Sequence, residues 1–135
     1  MAVPEKPKPS VFMEELPPIL LRAFSVDNGQ QLLRFLPGAL SSSGAWVLRH
    51  EVASGFVRFF FEFERSNGMN VYVMLVSLGL ELTRSSHLSL TSFCQRTLNM
   101  PKSETLQVAS CELEVRELLE DGNSLEPLFG STSTT

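Results

Sequence analysis

An α+β fold is predicted: a small antiparallel sheet packed on a long apolar helix, with short N-terminal helices. Three observations carry it. The segments AWVLRHEV and FVRFFFEFER, parted by Ala53-Ser54-Gly55, alternate with period two and predict a hairpin over 45–65. The apolar segment that follows, about 69–83, has helical spacing instead, with Met69, Tyr72, Val73, Val76 and Leu80 on one side and Leu75, Leu78 and Leu82 widening the stripe. A second alternating segment, about 105–117, supplies a third strand, without which a hairpin alone is barely stable. The stretch from Trp46 to Leu82 holds five of the ten phenylalanines, the only tryptophan and the only tyrosine, so most of the core is expected there.

In chain order, residues 1–10 set Pro4, Pro7 and Pro9 among Lys6, Lys8 and Glu5, a composition that favours an extended, disordered leader. Residues 11–120 are read as one α+β domain. From Val11 the chain turns apolar, but Pro17 and Pro18 interrupt any continuous helix. Pro18 suits the first turn of a helix carrying Ile19, Leu20, Leu21 and Phe24. Asp27 is the expected N-cap of a second helix, with Leu32, Leu33, Phe35 and Leu36 on one side and Pro37-Gly38 as its stop. The small residues of 39–45 then read as a connection.

On the first hairpin strand, Trp46, Leu48, His50 and Val52 share one face under strict alternation. On the second, Val57, Phe59, Phe61 and Phe63 form the core face, each phenylalanine contributing roughly 1.5 to 3 kcal/mol by burial. Phe56, Arg58, Phe60, Glu62 and Glu64 point the other way. Aromatic residues on an otherwise charged face imply that this side is covered too, so Phe56, Arg58 and Phe60 are the candidate partner-binding residues.

Asn67 or Asn70 is expected to cap the long helix. After it, Thr83-Arg84-Ser85-Ser86-His87 reads as a polar corner, and LSLTSFCQRTL as a short helix capped by Ser89 or Thr91 and closed by Asn99 and Pro101. Between 105 and 117, Ala109, Cys111, Leu113 and Val115 alternate with polar residues, as in a half-buried strand. Val108, Cys111, Val115, Leu118 and Leu119 also fit a helical stripe; strand is the reading adopted. Residues 121–135 are expected to be a disordered tail.

Composition narrows function. At 135 residues, 43% hydrophobic and 19% charged, the chain is an ordinary globular domain. Residues 1–100 carry nine basic and eight acidic side chains, while 101–135 carry two basic and seven acidic. Nucleic acid, whose binding needs clustered Lys or Arg, is therefore not an expected partner. Two cysteines without CxxC spacing and a start lacking an apolar signal segment point to a cytoplasmic protein with reduced thiols. The apolar run Val71 to Leu80 is far short of the roughly 20 residues of a membrane span.

No catalytic or metal site is assigned, and no cofactor. His50, His87, Cys94 and Cys111 show none of the close spacings that hold zinc. Cys94 and Cys111 sit in apolar patterns rather than the electropositive, accessible setting of a reactive thiol. Glu62 with Glu64 and Glu112 with Glu114 are same-face neighbours without the contrasting environments that acid–base pairs need. The eight glycines form neither GxGxxG nor a P-loop. Arg84-Ser85-Ser86-His87, with Arg65, has the chemistry of an anion or ligand site, chiefly through Arg84 and His87. The same residues suit a helix C-terminus, with Arg84 on the negative end of the dipole.

The expected function is accordingly non-catalytic: a protein-interaction, adaptor or chaperone-like domain that self-associates, as a homodimer, through an apolar sheet or helix face. The alternative is a small-ligand-binding domain or small enzyme with a Phe-lined pocket entered near His50, Arg84 and His87.

Overall fold

The computed structural model describes residues 16–118, so the leader 1–10 and the tail 121–135 lie outside the described residues. The strands are β1 (Ile19–Ser25), β2 (Ala45–Ala53), β3 (Phe56–Glu64), β4 (Glu81–Leu82) and β5 (Val108–Glu117). The helices are α1 (Gly29–Ser42), α2 (Gly68–Ser77) and α3 (Arg84–Leu98), with 3₁₀ turns at Arg65–Asn67 and Lys102–Leu106. The α+β class is as expected from the sequence, but the sheet is larger and of another kind. It has five strands in the order β2-β3-β5-β1-β4, and it is mixed, because β5 runs parallel to β1 and antiparallel to β3.

Three local expectations are corrected. The apolar residues after Pro18 form β1, a strand rather than a helix. Leu21, Ala23 and Ser25 face the core while Leu20 and Arg22 are exposed. The parallel partner that makes β1 a strand lies some ninety positions downstream, so no local pattern could announce it. Asn28, not Asp27, caps α1, in a reciprocal capping box with Gln31. The helix then runs through Pro37 and Gly38 to Ser42, where the sequence suggested a stop and a connection. An interior proline costs about 3 kcal/mol or more. Burial of Leu32, Leu36 and Leu40, all fully shielded on one stripe, outweighs it.

The helix expected over 69–83 is split. α2 ends at Ser77, Gly79 turns the chain with φ 88°, and Glu81-Leu82 pair with β1 before α3 begins at Arg84. The orientation of α2 also differs. Gly68, Val71 and Leu75 are buried, whereas Met69, Val73 and Val76, placed on the inner stripe by spacing, are exposed. A helix apolar on every side carries too little asymmetry for spacing to say which side is in.

One core holds the structure. Val57, Phe59, Phe61 and Phe63 of β3 and Ala109, Cys111, Leu113 and Val115 of β5 face buried residues of all three helices. The Phe63 ring meets Phe93 of α3 edge to face at 5.8 Å. Arg65 closes the bottom of this core. Its guanidinium lies 4.3 Å over the Phe93 ring, its Nε donates to Thr97 Oγ1 at 3.0 Å, and burial lowers its pKa. The opposite sheet face carries no helix among the described residues.

Between α1 and β2, Gly44 takes φ 98°, and a Cβ there would stand 2.6 Å from Asn67 Nδ2. Gly44→Ala is expected to lower unfolding free energy by about 1 to 3 kcal/mol in urea titrations. Adding Asn67→Ala should recover only the part due to the clash, leaving the backbone strain. Full recovery would show that φ at this position costs nothing.

Candidate functional site

The helix-free face is built by the outward residues of β1, β2, β3 and β5. Pairing register sets its rows. Leu20 and Phe60 flank Glu112, Arg22 and Arg58 flank Glu114, and Phe24 and Phe56 flank Arg116. On the far side of β3, Trp46 lies opposite Glu62, Arg49 opposite Phe60 and Glu51 opposite Arg58.

The β2–β3 register is not regular. It shifts between Val47 and Arg49, leaving Leu48 as an extra residue in a β-bulge. This corrects the expected common face of Trp46, Leu48, His50 and Val52. Trp46 is on the helix-free face with its Nε1 donating to Glu62 Oε1 at 3.0 Å, while His50 lies opposite Phe59 on the helix side, ring to ring at 6.2 Å. A bulge changes side-chain parity by one, and nothing in AWVLRHEV marks it.

Phe56 and Phe60 are half-buried without any helix above them, because arginines cover them. The Arg49 guanidinium stacks 3.7 Å from the centre of the Phe60 ring, and Arg58 and Arg116 each lie 5.0 Å from that of Phe56. Carboxylates fix these arginines in turn. Arg49 Nη1 donates to Glu51 Oε2 at 2.8 Å, Arg58 Nη1 to Glu51 Oε1 at 3.0 Å, and Arg116 Nε to Glu114 Oε2 at 2.8 Å. Arg58 Nη2 reaches Glu114 Oε1 at 3.4 Å. Its Nε lies 3.2 Å from Glu112 Oε2 without the alignment of a hydrogen bond, so that contact is one of charge alone. The aromatic residues thus have their cover from within the chain.

The apolar surface left uncovered lies elsewhere. On β2, Trp46 is 41%, Leu48 56% and Val52 62% exposed, and on α2 Met69, Val73 and Val76 are exposed. β2 is also a free edge: among the described residues, nothing pairs with its outer side.

The candidate ligand residues do not converge. His50 is on β2, whereas Arg84 and His87 follow β4, at the opposite edge of the sheet. Four strand spacings, about 19 Å, separate the two edges. Arg84 and His87 belong to the first turn of α3, capped by Thr83, which corrects both the helix C-terminal placement of Arg84 and the later helix start at Ser89 or Thr91. Tyr72 Oη and His87 Nδ1 are hydrogen-bonded at 2.9 Å, and Ser86 Oγ accepts the Arg22 N–H at 2.8 Å. The imidazole and hydroxyl therefore tie α3 to α2 and β1, while Arg84 points to solvent. Arg65 sits beside Thr97 at the other end of this 15-residue helix, about 20 Å away.

Cys94 and Cys111 are both buried and unpaired. Burial raises the pKa of each thiol, that of Cys111 well above the thiol range, with the nearby Glu112 adding to the effect. No group of three or more His, Cys, Asp or Glu side chains suited to a metal ion occurs among the described residues.

The arginine–glutamate net makes stability depend on acid in a defined direction. The hydrogen bond from Arg49, helped by that from Arg58, holds the Glu51 carboxyl below its ordinary value of 4.5. A depressed folded-state pKa contributes stability that is present above the usual carboxylate range and is lost as pH falls through it. The urea midpoint of the native chain should therefore fall more steeply between about pH 5 and 3 than that of Glu51→Gln. Equal slopes would mean that Glu51 gains nothing from its arginines. Compared with known proteins, the chain matches no family model, no curated protein and no solved structure.

Proposed function

We propose that this protein is a non-catalytic interaction domain that works by self-association through the open edge of its sheet. The observation carrying this reading is the state of β2: nine residues long, unpaired on its outer side among the described residues, with Trp46, Leu48 and Val52 exposed. A long apolar edge is a template for another strand unless it is blunted. β2 contains neither proline nor lysine, and its bulge at Leu48 leaves the segment from Arg49 to Ala53 in regular register.

Phe56, Arg58 and Phe60 take a supporting part here rather than forming the contact themselves. Phe60 seats the guanidinium of Arg49, and Arg58 anchors Glu51, so the two charged groups of the edge are held at defined positions. The chemistry of the candidate polar residues fits a binding role better than a catalytic one. His87, Ser86 and Arg65 are engaged in holding elements together, and the two thiols are shielded by burial.

Sedimentation equilibrium from micromolar to millimolar concentration tests this reading. The native chain should show a concentration-dependent rise to twice the monomer mass. Leu48→Lys combined with Val52→Lys should weaken association by roughly tenfold or more, because each lysine faces a desolvated apolar contact. A native chain that stays monomeric throughout would overturn self-association.

A further inference from the structure

We infer that the partner at this edge is a second copy of the chain, with the two β2 strands antiparallel about a twofold axis at His50. The inference rests on the edge-association reading above and adds its register and geometry.

Ala53 and Phe56 close a two-residue turn at Ser54-Gly55, so they form a hydrogen-bonded pair. Alternation then directs the N–H and C=O of Ala53 and Glu51 toward β3, and those of Val52 and His50 toward the side that no described strand occupies. His50 is therefore an outward-facing residue able to pair with itself across a twofold axis.

The side chains around it have the order that such an axis requires. Residues 48–52 read Leu-Arg-His-Glu-Val, apolar, positive, central, negative, apolar. Antiparallel pairing centred on His50 sets Arg49 opposite the partner's Glu51 and Leu48 opposite the partner's Val52. Each relation occurs twice by symmetry. A shift of one residue either way breaks both matches.

Arg49 and Glu51 lie on the same, helix-free face, as cross-strand partners must. Their side chains are 58% and 45% exposed, so each can take a second partner while keeping the bond between them. A twofold axis normal to the sheet would keep all helices on one side and join the two sheets into one of ten strands. The bulge at Leu48 bends the strand at the first residue of this segment and limits the pairing to about five residues. The match of charges under the symmetry operation favours an identical chain over an unrelated strand.

Charge exchange tests the register. Glu51→Arg sets arginine opposite arginine twice and should weaken the dimer roughly tenfold or more. Arg49→Glu should do the same. The double variant Arg49→Glu, Glu51→Arg restores opposite charges across the axis and should dimerise within about threefold of the native chain. His50→Cys should form an intermolecular disulfide under mild oxidation, since hydrogen-bonded antiparallel partners have Cα atoms about 5.5 Å apart. Circular dichroism and the unfolding midpoint of each variant establish that it is folded.

Several outcomes would overturn the inference. A dimer unaffected by either single exchange and uncrosslinked at position 50 would place association on another surface, such as the exposed Met69, Val73 and Val76 of α2. Self-association would then stand while the register fell. A monomer at every concentration would remove both. A monomer whose His50 and Val52 amides are protected from hydrogen exchange would assign the edge to a strand of the chain itself.

Discussion

The fold depends on the insertion of β5 between β1 and β3. Those two strands are not neighbours without it, and every other pairing in the sheet lies to one side or the other. β5 brings Ala109, Cys111, Leu113 and Val115 opposite Phe63, Phe61, Phe59 and Val57 of β3. In the same span it sets Cys111, Leu113 and Val115 beside Ile19, Leu21 and Ala23 of β1. The core is thus closed by the last strand of the described chain. Its pairing with β1 spans some ninety residues, a loop closure whose entropic cost only a large apolar burial offsets. Shielding of the Cys111 thiol follows from this position: it lies in the middle of the middle strand.

The same central strand organises the helix-free face. Glu114 lies between Arg22 on β1 and Arg58 on β3, while Glu112 lies between Leu20 and Phe60, within reach of the Arg58 charge. A network of this kind lets guanidinium groups cover Phe56 and Phe60 while their charges remain paired. Planarity matters, since an ammonium offers neither the stacking surface nor donors held in a fixed fork. The face is consequently sealed by side chains of its own strands, and the need for a cover there is smaller than its aromatic content suggests.

How much of this was legible in the sequence follows from the range of each interaction. The two faces of β3 could be read directly, because alternation over nine residues is unambiguous and the inward set is nearly all phenylalanine. The α+β class was legible for the same reason. β1 was not, since ILLRAFS is apolar at too many positions to show a period and its strand state derives from a distant parallel partner. The stop expected at Pro37 failed because burial of Leu32, Leu36 and Leu40 outweighs a local penalty. In α2, uniform apolarity concealed which side is inward. At the site, Phe56, Arg58 and Phe60 were rightly placed together on one face, yet the arginine cover depended on contributions from β2 and β5 that only register reveals. The grouping of His50 with Arg84 and His87 had no basis in local pattern, and the sheet order puts them at opposite edges.

That sheet order leaves two edges, and the chain treats them differently. At the β1 side, β4 is only two residues long, and the chain passes at once into α3, with the Thr83 N–H donating to the Arg22 carbonyl and Ser86 Oγ accepting the Arg22 N–H. Both backbone groups of Arg22 are satisfied by a helix start, an arrangement that hinders a further strand at that point. At the other side, β2 runs for nine residues with no covering element among the described residues, and its exposed positions include Trp46, Leu48 and Val52. One fold that closes one edge with a short strand and a capped helix, and leaves the other long and open among the described residues, has a direction built into it. Of the two edges among the described residues, β2 is the one open to a further strand, and any twofold pairing at a single edge would close as a dimer instead of continuing into a fibre.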